Sequence, residues 1–324
     1  MCAVWRKNSG WKNAFDAWSY EMCEVLISTF AIVIKSKLHK VVLHVLLMIS
    51  VTSCTLWSDK PGVPHNVLVS EFNLTTSEGQ GTSAHNITEL WVYGEIDVLG
   101  VFPLPCRIPV LQGIEGESVD IRLLPGIRAN GISSTRKPYP FYKSLDLDFP
   151  FVPGTTTTVE FNASYTDNSK FILAENFESA NRFQASPTST AEVVRTTDPA
   201  LVFEGSASGM IVLSDSLAHV TSTTQEQLYD LHQSGPIWLE FNYRCNNSFA
   251  VGLSVLGGSN VQRTPIIVLN PSGDEWKKMY LDLGPLVLST PDAFGYELTL
   301  DAIIDANNDT GLILVDNFKI VHFE

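Results

Sequence analysis

Four alternating residues of one apolar run, Trp238, Glu240, Asn242 and Arg244 within Ile237–Cys245, have the types needed for recognition chemistry. In an extended strand successive side chains point to opposite faces. These four therefore share one face, while Ile237, Leu239, Phe241 and Tyr243 share the other and belong to a core. An indole that can stack, a carboxylate acceptor, a carboxamide and a guanidinium are together suited to holding a polyhydroxylated ring. The same spacing also fits the outer face of a sandwich, with Trp238 against a loop. The ingredients for catalysis are thinner. Glycoside hydrolysis needs two carboxylates flanking the bond, and this strand offers Glu240 alone. His65, His85, His219, His232 and His322 lie in no nucleophile motif, and neither GxSxG nor HExxH occurs. A non-catalytic protein is expected.

The elements that position this face are strands. Residues 65–165 alternate β-rich runs with turn signals: Asn66–Phe72, Ile87–Tyr93, Cys106–Leu111, Ser118–Leu124, Phe141–Phe149 and Thr157–Ala163. Val119, Ile121 and Leu123 give one buried face, and Pro125-Gly126 and Pro153-Gly154 mark turns. Such density suggests an immunoglobulin-like small sandwich. Within it, the stretch Asn130–Tyr142 joins basic residues to aromatics and prolines. It reads as a crossover packed on the sandwich edge, with a binding loop as the other reading. Residues 168–324 hold eight or more further strands, from Phe171–Glu178 through Val202–Leu213, Ile237–Cys245, Phe249–Val255, Thr264–Leu269, Trp276–Leu283 and Leu298–Ile304 to Gly311–His322. That series is expected to form a jelly roll, with Trp276 in its core. The fold class is all-β.

The N-terminus carries an export pattern. Lys35, Lys37, His39 and Lys40 precede the apolar run Val41–Ser50, which is too short to span a bilayer but long enough for a signal core. Val51-Thr52-Ser53-Cys54 follows and resembles a bacterial lipobox. Cys54 is then the lipidated N-terminus, residues 1–54 are extension and signal peptide, and 55–64 are a tether. Residues 1–34 fit no signal, and translation is expected to start near Lys35. A transmembrane segment from about Val25 to Val51 is the other reading, burdened by the basic cluster at its centre. Lipid attachment places the protein in the cell envelope, on the outer membrane.

Charge excludes one function class. Residues 1–53 hold six of the 21 basic and three of the 35 acidic residues, so the remainder carries a net charge of −17. No basic cluster follows Lys40, so nucleic acid is not an expected partner. Among the five cysteines no CxxC or zinc-like spacing occurs. Cys106 and Cys245 are expected as two small half-buried thiols, a disulfide between them being the minority reading.

The second half resembles the galactose-binding-like jelly rolls of carbohydrate-binding modules. The residues that carry the likeness are Asn176-Phe177-Glu178, Glu204-Gly205-Ser206-Ala207-Ser208, Trp276 through Asp282-Leu283, and Val315-Asp316-Asn317-Phe318-Lys319-Ile320. The whole mature chain also resembles uncharacterised Bacteroidota outer-membrane lipoproteins, through Leu90–Gly94, Arg107–Leu111, Pro125–Ile132 and the closing strand Gly311–His322. The module resemblance implies a structural calcium held by Glu178 and Asp316. Alternatively, these two cap turns or pair with Lys319. The Asp305–Gly311 segment reads as a plain Asn/Asp turn rather than a calcium loop. Two functions follow as expectations. The first is a structural or adaptor lipoprotein that binds an envelope protein. The second is a glycan-binding lipoprotein that uses the Trp238 face. A polysaccharide-processing enzyme stands behind both.

Overall fold

The computed structural model describes residues 62–324, except 112, 227, 229–230, 232–234 and 258–259 and the side chains of Leu173, Ala174 and Asn260. Cys54, its signal and nearly all of the tether lie outside the described residues. Val63–Glu324 is one compact unit.

The first eight strands are β1 (His65–Leu74), β2 (Glu89–Tyr93), β3 (Val98–Pro103), β4 (Cys106–Val110), β5 (Ser118–Arg128), β6 (Arg136–Pro138), β7 (Leu145–Pro150) and β8 (Thr156–Ala163). They form two sheets. One has the order β4-β1-β8, and the other has β3-β2-β5-β6 with β7 also on β5. β1 runs antiparallel to β4 and parallel to β8. Val67 and Val69 of one sheet meet Leu90, Val92, Ile121 and Leu123 of the other in a single core. This is the small sandwich expected for 65–165. β3 escaped the sequence reading because its residues are exposed or only half-buried throughout, so no alternation marks it.

Eleven strands follow: β9 (Ser169–Glu175), β10 (Phe183–Ala185), β11 (Val194–Thr196), β12 (Ser208–Leu213), β13 (His219–Thr224), β14 (Ile237–Cys245), β15 (Phe249–Gly257), β16 (Asn260–Leu269), β17 (Lys277–Asp282), β18 (Gly295–Ile303) and β19 (Gly311–Phe323). A five-stranded sheet, β10-β13-β18-β15-β16, faces a six-stranded sheet, β11-β12-β19-β14-β17 with β9 on β19. Leu239, Phe241, Ile313 and Val315 meet Val251, Leu253, Leu298 and Leu300 between them. The jelly roll is thus present. Its one described helix is the short Gly284–Ser289, started by Pro285.

Cys106 belongs to the first core and Cys245 to the second, and both are unpaired and buried. Burial pushes the Cys106 thiol up to about 11.

The two sandwiches share more than a linker. Trp238, Tyr280 and Val321 sit on the outer face of the six-stranded sheet, yet they belong to the core of the first sandwich. Tyr139, Phe141 and Tyr142 of the Asn130–Tyr142 crossover are buried there too. That crossover packs as expected, but against the second sandwich. Asn130, at φ 56°, accepts a 2.8 Å hydrogen bond from the Asp282 amide. Gly131 follows at φ +65°, and a side chain there would strike Met279.

Candidate functional site: one strand face divided between an interface and a cleft

The outer face of β14 presents Trp238, Glu240, Asn242 and Arg244 in order, as the alternation predicts. Its neighbours extend the face sideways. Tyr280 of β17 and Lys319 of β19 flank Glu240, while Lys278 and Asp316 flank Asn242. A bulge between Glu240 and Asn242 keeps this face in step with β19, where Asn317 takes φ 54°.

The half of this face around Trp238 and Glu240 is sealed. Trp238 is 2% exposed and Glu240 is fully buried. The expectation of an open platform here is corrected: the first sandwich lies on it, because its own aromatics need the same apolar cover. Tyr139 meets Trp238 edge-on at 5.8 Å, and Lys137 stands 4.5 Å over the indole while pairing with Asp282 at 3.0 Å.

Glu240 is the hub of this interface. Its Oε1 accepts hydrogen bonds from the Tyr139 and Tyr165 hydroxyls at 2.6 and 2.7 Å. Its Oε2 lies 3.1 Å from Lys278 Nζ and 3.8 Å from Lys319 Nζ. Burial alone would raise its pKa, but Lys319, Lys278 and the two phenols outweigh that, so the carboxyl is held below its ordinary value. Burial pushes the Lys319 ammonium down to about 8, with Glu240 partly opposing. Lys319 also donates to the Gln80 and Thr82 carbonyls at 2.8 and 3.0 Å, so the β1–β2 loop is tied to the second sandwich. Burial raises Tyr139 and Tyr165 far above the usual phenol range, and they remain donors.

Below Glu240 the face opens. A cleft of about 770 Å³ lies between the two sandwiches, within the ~300–1,000 Å³ range of small-ligand sites. The second sandwich contributes Asn242, Phe203, Trp276, Lys277 and Lys278, and the first contributes Ser83, His85, Asn86 and Arg128. Asn242 is 2% exposed, and its Oδ1 has no hydrogen-bond partner among the described residues. Lys278 Nζ likewise makes no hydrogen bond among them, although it faces Glu240 as an ion pair. Trp276 is half-buried and packs at 5.2 Å on Phe203, with the Arg244 guanidinium 5.6 Å from its ring centre. Trp276 therefore lines the cleft and is absent from the core in which it was expected. It precedes β17 by one residue, so core periodicity does not apply to it. Arg244 is anchored by a 2.8 Å hydrogen bond to the Ala200 carbonyl. Burial holds His85 below its usual range, so it is neutral at pH 7.

Asp316, the β19 neighbour of Asn242, and Glu178 lie toward β12, beside Ser208 and Ser206. Glu178 Oε1 accepts the Ser206 and Ala207 amides at 2.8 and 3.2 Å, and its Oε2 accepts the Ser206 hydroxyl at 2.5 Å. These bonds hold its carboxyl below the ordinary range. Gly205, at φ +71°, makes this grip possible, since any side chain there would overlap the carboxylate. Asp316 accepts Ser208 Oγ at 2.6 Å and the Asn317 amide at 2.8 Å. Burial is the main cause that brings its pKa up to about 7, and the nearby Glu204 and Glu178 add to it. Arg195 occupies the adjoining carbonyls, donating to Phe177 and, at 2.8 Å, to Glu178. Each carboxylate oxygen of Glu178 and Asp316 thus has at least one protein donor. Among the described residues, no three acids, histidines or cysteines group as a metal site.

No protein family matches the sequence, and no curated protein is similar enough to count as a relative. Solved structures with some likeness include a carbohydrate-binding module from the β-sandwich superfamily, 16% identical over 81% of this chain and 99% of its own, at a TM-score of 0.36. A xylan-binding domain of family 22 is 14% identical over 49% of this chain and 97% of its own, at 0.33. The family 11 carbohydrate-binding module of a Clostridium thermocellum cellulosomal cellulase is 12% identical over 47% and 94%, at 0.34. At these scores they lend nothing to the site, whose reading rests on its own residues.

Proposed function

We propose that the chain is a non-catalytic glycan-binding lipoprotein of the cell envelope, anchored through Cys54, which holds saccharide in the cleft beside Trp276. The observation that carries this reading is the buried Asn242 Oδ1, left without a described hydrogen-bond partner on the floor of a cleft walled by Trp276 and Phe203. Buried polar atoms are nearly always paired, so an unpaired one that borders a cleft is a place for a ligand group or an ordered water. A sugar hydroxyl supplies one donor to an amide oxygen, and its ring offers C–H faces to an indole. The cleft is lined by one carboxylate, Glu275, whereas glycosidic cleavage uses two.

The test is a broad glycan array with the purified full-length protein, run beside Trp276→Ala and Asn242→Ala. Saturable binding that both variants lose supports the proposal. A blank array from folded protein sinks it and favours the adaptor reading, in which an envelope protein is the partner. For the anchor, Cys54→Ser should abolish incorporation of labelled fatty acid, and retained label would overturn that part.

A further inference from the structure

Resting on the glycan reading of the cleft, we infer that its ligand is an acidic saccharide, bearing carboxylate or sulfate groups. The protein as a whole has a net charge of −14, so a cation-rich cleft is a local reversal of its field. Arg128, Lys277 and Lys278 line the cleft, against Glu275 as its one anionic lining residue. Arg244 adds a further guanidinium behind the Trp276 ring.

The depth of the cleft reinforces this sign. Lys278 is almost wholly buried, and its Nζ has no hydrogen bond among the described residues. Its ion pair shares Glu240 with Lys319, so two buried ammonium groups face one carboxylate. Glu204 acts on Lys319 as a second, more distant carboxylate, so the unpaired positive charge that bears on the cleft is that of Arg128 and Lys277. Lys319 is shifted down to about 8 and remains largely protonated at neutral pH. An anionic group on a bound sugar would meet Arg128 and Lys277 at the cleft wall. The donor geometry suits it too: Arg128 presents a fork that can grip carboxylate or sulfate oxygens in pairs, and Lys277 presents a point charge. Both are exposed and make no ion pair among the described residues. A neutral glycan would leave Arg128 and Lys277 unanswered.

The deciding experiment is titration of the full-length protein with oligogalacturonate and its carboxyl-reduced neutral form, and with a sulfated galactan and its desulfated form. Each pair keeps the sugar backbone and changes only the charge. At least one acidic member should bind about tenfold or more tighter than its neutral twin. That advantage should vanish in Arg128→Gln/Lys277→Gln and at an ionic strength of about 0.5 M. Which pair shows it separates carboxylate from sulfate. Equal binding of both members, lost in Trp276→Ala, would overturn the acidic preference and leave the glycan site standing. No binding to any member, with an equally blank array, would remove both readings. Both substituted residues are exposed, and an unchanged Tm in the double variant keeps a binding loss from being read as misfolding.

Discussion

The two halves of the β14 face have the same strand, the same alternation and similar residue types, yet opposite states. Around Glu240 every oxygen faces a cation or a phenol donor, and the first sandwich closes over the group. Two residues further on, Asn242 is just as buried, but its carbonyl oxygen faces no described donor. The difference lies in what stands opposite. Tyr139, Tyr142 and Tyr165 reach over Glu240, whereas a loop and a turn pass either side of Asn242 and leave a gap. A polar residue on a strand face is therefore no guide to function until its cover is known. The covered half works as a bolt between sandwiches, and the half that borders the cleft is where a ligand has something to do.

Substitutions can break this contrast, and the largest effect is expected at Glu240. Glu240→Ala strands two buried ammonium groups and two phenols, and should cost roughly 3–5 kcal/mol in chemical denaturation. A loss under about 1 kcal/mol would show that Glu240 is not the bolt. Next is Trp276→Ala, which should remove saccharide binding while lowering stability by only about 1–2 kcal/mol, since the ring is half-buried. The two variants together test whether stability and binding are separated along one strand.

A third prediction concerns pH. Asp316 has a folded pKa of about 7, above its unfolded value, so the fold favours the protonated carboxyl. Its contribution is fully present below about pH 4 and is lost as the pH rises through about 7. Asp316→Asn holds that position neutral, so the variant should gain on wild type between pH 5 and pH 8, by about 2–4 °C in Tm. A constant gap across that range would contradict the shift. The smallest effect expected is from EDTA, which should leave Tm within about 1 °C, because each oxygen of Glu178 and Asp316 has a protein donor. A large drop would restore calcium.

Much of the architecture was legible in the sequence. Ile237–Cys245 was read to the residue because its inward positions are all large and apolar. The Glu204-Gly205-Ser206 motif was legible as framework, and the grip of Ser206 on Glu178 gives its reason. β13, His219–Thr224, was missed because its inward residues include Ser222 and Thr224, which pack buried without a hydrophobic signature. The site was half legible. Which residues share a face follows from strand period alone. That the first sandwich would cover Trp238 and Glu240 but spare Asn242 depends on contacts between residues about a hundred positions apart, such as Tyr139 with Glu240. No local pattern encodes those. The one available signal was the aromatic content of Asn130–Tyr142, three rings in a crossover that had to be buried against something.

The most direct test of the account compares the two tryptophans. Wild-type protein, Trp238→Phe and Trp276→Ala would be titrated with the oligosaccharide that binds best. The account predicts that Trp238→Phe keeps its affinity within about twofold, since that ring faces the first sandwich, while Trp276→Ala binds at least about tenfold more weakly. Lost affinity in Trp238→Phe with affinity retained in Trp276→Ala, both variants being folded, would contradict it and return the binding face to Trp238.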